Sequence, residues 1–266
     1  MTEYMSASEA KKQILEIGRR MYQKGFVAAN DGNISCRISE NTVIATPTGV
    51  SKGFMTEDML VEMTLDGEIL RGGEYAPSSE IKMHIRAYRE NAEIMAVTHA
   101  HPQAATAFSI AGIALDKPIL TEPIALLGSV PVAKYATPGT DEVPDSIAPF
   151  CTTHNAVLLA NHGALTWGKD LTQAFYRLEA VENYAVITMY TENILGKTNY
   201  LSCAQIKPLL EIRKKSGNSC GGQPLCSAAE TNAEDVLPQG GVLNGYMNAI
   251  DALVERIAER VAEKLK

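Results

Sequence analysis

The chain has 266 residues, 45% of them hydrophobic, which is enough to bury the core of one large α/β domain and excludes a disordered or fibrous protein. Its formal net charge of -7, from 31 acidic and 24 basic residues, offers no basic face to a nucleic acid backbone, so no nucleic acid partner is expected. No stretch reaches the roughly 18 uncharged apolar residues that a bilayer-spanning helix needs, so no membrane association is expected.

The first third of the chain predicts one amphipathic helix followed by short strands. Apolar residues recur at near-helical spacing within residues 6–24, after a serine that can cap the helix and before Gly25, which ends it. The pair Asp66-Gly67 is typical of a hairpin turn. Short β-branched or apolar runs predict antiparallel strands at 34–38, 42–46, 60–65 and 68–70.

The middle of the chain alternates helical patterns with apolar strands. Apolar runs predict strands at 94–98 and 156–160. The order contains no repeating βαβ unit, which favours one sheet covered by helices on both faces. Apolar residues at helical spacing predict helices at 79–90, 102–110, 141–150 and 171–194.

The composition changes near Lys215, which divides the chain into a domain at 1–215 and a tail. Residues 216–241 are rich in Gly, Ser, Asn, Pro and Ala and predict a flexible linker. Residues 242–266 carry apolar residues three or four apart between charged ones, which predicts an amphipathic helix. A helix on such a linker resembles the encapsulation peptides of bacterial microcompartment enzymes. The alternative is a helix that packs on its own domain or oligomer.

Three histidines follow apolar strands in a pattern typical of a metal site. His99 and His101 end one strand, and a His-x-His pair places both imidazoles on the same side of an extended backbone. His162 follows the second apolar strand, and two neighbouring strands would bring all three together. Three neutral imidazoles with an open fourth position, filled by Glu80 or water, are the catalytic pattern for zinc. In the alternative, each histidine only bonds a main-chain carbonyl.

Several turns carry glycines, hydroxyls and free amide N–H groups that suit an anion. Ser78 and Ser79 open a predicted helix, where the dipole favours negative charge, although plain capping explains them equally well. Two glycine turns, 32–35 and 46–49, let a ligand approach closely or are ordinary loops. The remaining histidines, His84 and His154, are expected to be structural or exposed.

The order of these motifs closely resembles the class II aldolase family, which includes L-fuculose-phosphate aldolase, L-rhamnulose-phosphate aldolase and L-ribulose-phosphate 4-epimerase. The resemblance covers roughly residues 8–200 and implies a single three-layer α/β/α domain with a mostly antiparallel central sheet. It also implies a cyclic homotetramer with one Zn²⁺ in each subunit. The motifs that carry the resemblance are GNIS (32–35), TPTG (46–49), PSSE (77–80), HAHP (99–102) and NHG (161–163).

The resemblance assigns roles to particular residues by motif. His99, His101 and His162 are the implied zinc ligands, and Glu80 is the implied general acid/base and fourth ligand. The implied phosphate-binding residues are Asn33, Thr48, Gly49, Ser78 and Ser79.

The implied reaction is zinc-dependent retro-aldol cleavage of L-fuculose 1-phosphate or L-rhamnulose 1-phosphate to dihydroxyacetone phosphate and L-lactaldehyde, in fucose and rhamnose degradation. Glu80 favours cleavage, because the family's epimerases carry Asp at that position. The alternatives are a pentulose-5-phosphate 4-epimerase, a sugar-phosphate dehydratase and a non-catalytic scaffold. The sequence departs from the family at residues 120–123, where the aldolases' catalytic tyrosine aligns and this chain has none; Glu122 and Tyr135 are both open as replacements.

The cysteines and the first residues predict a cytoplasmic protein. The five cysteines are odd in number and scattered, which suits reduced thiols, and no signal-peptide pattern opens the chain. Cys220 and Cys226 match no zinc module and are interpreted as linker thiols. If the tail is a targeting signal, its partners are microcompartment shell proteins, and the lumen of the microcompartment would confine the reactive aldehyde.

Overall fold

The computed structural model describes residues 4–216 and 221–224 of the chain. The predicted helix at 242–266 and most of the predicted linker at 216–241 lie outside these residues, so both remain predictions, as do the domain boundaries and the microcompartment address. No helix within the described ranges is long and apolar enough to cross a bilayer.

In the described part of the chain, eight strands form one sheet in the order β4-β3-β2-β1-β5-β8-β7-β6. Every neighbouring pair is antiparallel except β6 and β7, which confirms the predicted mostly antiparallel sheet. The strands, β1 to β8 in chain order, are Asn33–Arg37, Thr42–Ala45, Val61–Thr64, Ile69–Arg71, Ala96–Ala100, Val132–Ala133, Ala156–Leu159 and Gly163–Gly168.

The described residues include seven α-helices that lie on both sides of this sheet, and the alternation of side chains along the central strands explains why both faces are covered. In β7, Ala156 and Leu158 pack with α1, α3 and α6, while Val157 and Leu159 pack with α2 and α5. Burying both faces requires helices on both sides, which confirms the predicted three-layer α/β/α domain. The helices, α1 to α7, are Ala7–Gln23, Ile81–Glu90, Gln103–Ala111, Thr121–Leu126, Glu142–Ile147, Leu171–Thr188 and Cys203–Lys215.

The structure corrects the predicted arrangement of the histidine-bearing strands. The prediction that the two apolar strands are neighbours is wrong, because β8 lies between β5 and β7. Strand β8 begins and ends with glycine and follows β7 after a short turn. No strand was therefore predicted at these residues. The turn between β7 and β8 brings His162 back to the end of β5, and the three histidines meet by this route.

Two predicted helices also end elsewhere than expected. The helix predicted at 79–90 begins at Ile81, because the backbone of Glu80 has left the helical range and forms the N-cap. The long helix α6 ends at Thr188 and continues as a π-helical segment, Met189–Ile194. Helices α4 and α7 and the two-residue strand β6 were not predicted, since Pro123 and Pro208 interrupt the helical patterns.

We expect the N-cap of α6 to stabilise the whole domain, because this helix buries residues against the central strands β5 and β8. The Asp170 side chain accepts a hydrogen bond from the Gln173 main-chain N–H at 2.7 Å. Asp170→Ala should therefore lower the free energy of unfolding by about 1 kcal/mol, whereas Asp170→Asn, which keeps an acceptor, should lose much less. Urea unfolding at one fixed protein concentration measures both; equal losses would contradict a role for the cap.

Candidate metal centre

Three imidazoles converge at the end of the central strand β5. His99 lies within β5 and His101 directly after it, while His162 lies in the turn between β7 and β8. One nitrogen from each ring can be chosen so that all three lie within 4.8 Å of one another. The ring centroids are 4.7 to 5.0 Å apart. The predicted histidine triad is therefore brought together in space.

The turn that carries His162 depends on two unusual backbone positions. Asn161 has a positive φ of 59°, a left-handed conformation that Asn tolerates better than most residues. A side-chain carbon at Gly163 would lie 2.5 Å from the Ala100 carbonyl oxygen and 2.6 Å from the His101 ring. Glycine is required there because the end of β5 at Ala100 and the His101 ring pack directly against it.

The hydrogen bonds of two rings define which nitrogen of each is available to a metal. His99 Nδ1 is 2.9 Å from the Ala164 carbonyl oxygen, and His101 Nδ1 is 3.3 Å from Asp31 Oδ2. Both oxygens can only accept, so each Nδ1 carries the hydrogen and each Nε2 presents a lone pair. The two Nε2 atoms face each other at 3.1 Å, an arrangement that a cation between them would stabilise. The donor set therefore fits a bound metal.

Burial keeps these imidazoles in the form that binds metals. Loss of solvent lowers the pKa of His99 to about 3, although the neighbouring Glu80 carboxylate opposes this shift in part. Burial also lowers the pKa of His101. Both rings are therefore neutral at physiological pH, and neutral imidazole nitrogen is the metal ligand.

Glu80 lies beside the triad with its carboxylate directed at it. Its Oε1 is 3.0 Å from His162 Nε2, its Oε2 is 3.5 Å from His99 Nε2, and Oε2 also accepts a hydrogen bond from Asn33 Nδ2 at 2.8 Å. Burial acts to raise the pKa of Glu80, but His99, His162 and the Asn33 hydrogen bond outweigh it and hold the pKa below its ordinary value. The group is ionised and positioned to act as a fourth ligand or as a base.

A polar cavity of about 230 Å³ opens beside the triad, small enough for a compact polar substrate. Four of the five predicted phosphate-binding residues line it, and the fifth, Asn33, is buried directly behind and donates to Ser78 Oγ at 3.3 Å. The lining residues are Asn30, Asp31, Gly32, Pro47, Thr48, Gly49, Lys52, Ser78, Ser79, Glu80, His101 and His162.

Two loops form this cavity because main-chain hydrogen bonds join them side by side. The Thr48 N–H donates to the Ala76 carbonyl at 3.0 Å, and the Ser78 N–H donates to the Thr46 carbonyl at 3.2 Å. This pairing places the glycine turn of 46–49 against the serines that precede α2. The sequence predicted each turn separately, and the pairing shows that they form one surface.

The sequence analysis gave no role to two residues that line the cavity. Asp31 contacts His101, and its signal was only a carboxylate preceding the glycine of the first turn. Lys52 follows Gly49 by three residues, and nothing in that spacing indicates that its side chain turns back into the cavity wall. Such contacts depend on how the loops fold onto the sheet.

The other residues singled out from the sequence lie away from the cavity. His84 is fully buried, its Nδ1 is 2.7 Å from Ser35 Oγ, and burial lowers its pKa to about 3, so it is structural as expected. His154 is half-buried beside Thr153. Within this chain, Glu122 and Tyr135 are exposed and neither lines the cavity, so both stay open as replacements for the missing tyrosine.

Comparisons with known proteins cover most of the described domain. A sequence model of the family described as Class II Aldolase and Adducin N-terminal domain matches residues 12–189. The 3-oxo-tetronate 4-phosphate decarboxylase of Pectobacterium atrosepticum is 31% identical over 210 residues, which are 77% of this chain and 94% of that protein. The L-fuculose phosphate aldolase of Methanococcus maripaludis is 32% identical over 185 residues, 68% of this chain and 97% of that protein. The crystal structure of L-fuculose-1-phosphate aldolase from Thermus thermophilus superposes with a TM-score of 0.62 at 30% identity, covering 69% of this chain and 94% of that one.

We expect Asp31 to strengthen metal binding by orienting His101. Asp31→Asn, which keeps the shape but removes the charge, should weaken zinc affinity by roughly 10- to 100-fold. Competition with a chromogenic chelator measures this. Asp58→Asn is the matched control, because Asp58 is exposed, accepts a hydrogen bond from the Thr56 hydroxyl and does not line the cavity. Equal zinc affinity in the Asp31 variant and the wild type would contradict the role.

Proposed function

This chain belongs to the class II aldolase family and is an enzyme of that family. We propose that it cleaves a carbon–carbon bond of a ketose 1-phosphate, next to the carbon that neighbours the carbonyl group. The substrate class is L-fuculose 1-phosphate or L-rhamnulose 1-phosphate, and the products are dihydroxyacetone phosphate and L-lactaldehyde. The observation that supports this most is the convergence of His99, His101, His162 and Glu80 on a polar cavity.

Substrate binding follows from the groups that line the cavity. The hydroxyls of Thr48, Ser78 and Ser79 and the main-chain N–H of Gly49 would donate to the phosphate oxygens. Gly49 has a positive φ of 73° and no atom near its missing side chain, which leaves the backbone open to the ligand. These contacts would hold the three-carbon phosphate end of the substrate and place its carbonyl beside the triad.

His99, His101, His162 and Glu80 would hold one divalent metal in each subunit, and we propose Zn²⁺. The metal supplies Lewis-acid stabilisation of the negative charge that develops on the carbonyl oxygen. Glu80 would take the proton from the hydroxyl of the departing aldehyde fragment and later return it to the carbon of the enediolate. That transfer balances, because the proton lost by the oxygen is the one gained by carbon.

A decarboxylase is the second candidate, and one observation in the chain favours it. Loss of carbon dioxide from a 3-oxo-tetronate 4-phosphate leaves the same three-carbon enediolate as the aldol cleavage, but no hydroxyl needs to lose a proton. No side chain from residues 120–123 of this subunit reaches the cavity, so the group that would assist the aldehyde fragment is missing there. The decarboxylase of Pectobacterium atrosepticum is 31% identical to this chain.

We propose a homotetramer in which a neighbouring subunit completes the aldehyde side of the cavity. Among the described residues, the lining of the cavity comes from the loops at 30–32, 47–52 and 78–80 and from His101 and His162, and neither residues 120–123 nor Tyr135 contribute to it. The microcompartment lumen as a place of action is supported only by the resemblance of residues 242–266.

A coupled assay for dihydroxyacetone phosphate tests the reaction directly. We expect release from L-fuculose 1-phosphate or L-rhamnulose 1-phosphate, and we expect a strong chelator to abolish it because the charge on the carbonyl oxygen is then unstabilised. Release only from 3-oxo-tetronate 4-phosphate would identify the decarboxylase instead. Conversion of a pentulose 5-phosphate without triose release would contradict both and indicate the epimerase.

The role of Glu80 is tested by Glu80→Gln, which keeps the shape and removes the base. We expect turnover to fall by roughly two to four orders of magnitude while substrate binding is partly retained. Zinc content is measured in parallel, because the variant also loses a proposed ligand. The matched control is Glu40→Gln, at an exposed position outside the cavity. Unchanged turnover in Glu80→Gln would remove this residue from the mechanism.

A further inference from the structure

A buried lysine forms part of the cavity wall. Lys52 begins the short 3-10 turn Lys52–Phe54, three residues after Gly49, and its side chain is 1% exposed. Its Nζ donates to the Asn30 carbonyl at 2.9 Å and to the Val50 carbonyl at 2.7 Å. The side chain thus spans the two glycine turns whose residues line the cavity.

This ammonium group has no close counter-ion. Among the described residues no carboxylate lies within 4.0 Å of Nζ, and its two hydrogen-bond partners are neutral carbonyls. An ammonium has three N–H bonds, so one remains for another acceptor. A buried charge is costly when it is not paired, and proteins keep one mainly where an ion or ligand completes it.

The charges around the cavity point to a negatively charged partner. Burial lowers the pKa of Lys52 to about 8, with the Asp31 and Glu80 carboxylates opposing the shift, so the group is mostly protonated at neutral pH. Asp31 and Glu80 also line the cavity and would repel an anionic substrate. The serine and threonine donors form hydrogen bonds with an anion but bring no positive charge. Lys52 is the one lysine or arginine among the lining residues of the described chain.

We propose that Lys52 supplies the positive charge that selects a phosphate monoester dianion as the substrate's anchoring group. The inference rests on the proposed function in taking the substrate to be phosphorylated, and it does not depend on which bond is later cleaved. The phosphate would accept the remaining Lys52 N–H and the donors of the adjacent glycine turn, so one buried ammonium would be neutralised only when a phosphorylated ligand is bound.

The simpler role for Lys52 is mechanical. Its two carbonyl contacts join the turn at Asn30 to the turn at Val50, so removing them could loosen the cavity without any effect of charge. The two roles predict different effects of a Lys52 substitution on phosphorylated and unphosphorylated ligands. A mechanical tie would affect phosphorylated and unphosphorylated ligands equally, whereas a charge would affect only the phosphorylated ones.

Binding of inorganic phosphate to the zinc-loaded protein, followed by isothermal titration calorimetry, provides the first test. Lys52→Met should weaken phosphate binding by roughly tenfold or more, the effect of one charge-assisted hydrogen bond. Lys52→Arg, which keeps the charge, should retain more of the affinity. Lys169→Met is the matched control, because Lys169 is exposed at the end of β8 away from His162. Wild-type affinity in Lys52→Met would overturn the proposal.

Kinetics on phosphorylated and unphosphorylated forms of the same ketose provide the second test. Lys52→Met should raise KM for the phosphorylated form by roughly tenfold or more relative to any change for the unphosphorylated form, so that discrimination between them falls. An equal loss on both forms, or a lower melting temperature with the discrimination intact, would overturn the proposal in favour of the mechanical tie. Because the calorimetry requires no turnover, weakened phosphate binding would support Lys52 even if no ketose 1-phosphate were cleaved.

Discussion

The rest of the site depends on the lone pairs of two imidazole nitrogens, which point towards each other. The Nε2 atoms of His99 and His101 are 3.1 Å apart, and the Ala164 carbonyl and the Asp31 carboxylate orient the rings so that neither nitrogen carries a hydrogen. A cation between the two nitrogens would replace that repulsion by coordination. The sheet order, the left-handed turn at Asn161 and the close packing at Gly163 all bring the third ring to the same point.

The charges of the cavity explain why a metal and a phosphate would bind together. Two carboxylates, Asp31 and Glu80, lie with one ammonium, Lys52, in a small and mostly buried space. These three charges sum to -1, a divalent cation raises the sum to +1, and a phosphate dianion then lowers it to -1 again. The neutral imidazoles contribute lone pairs without adding charge. Metal and substrate would therefore stabilise one another through charge as well as through direct contact.

Much of the site could be predicted from the sequence because most of its residues lie in short motifs. The three histidines lie together after their strands and the serines lie before α2, as the apolar pattern and the motifs predicted, while their roles in binding remain predictions. The neighbouring-strand arrangement was wrong, because a glycine-bounded strand has too little apolar pattern to be recognised. Asp31 and Lys52 received no role because their contacts reach across loops, which local sequence does not encode.

X-ray absorption at the zinc edge tests the central claim most directly, since it reports the atoms around the metal in the loaded protein without requiring turnover. The account predicts four light ligands at about 2.0 to 2.2 Å, with the multiple-scattering signature of three imidazoles and one oxygen from Glu80. Wild-type protein and a His162→Ala variant should differ by one imidazole. A sulfur ligand at about 2.3 Å, or fewer than three imidazoles in the wild type, would contradict the proposed centre.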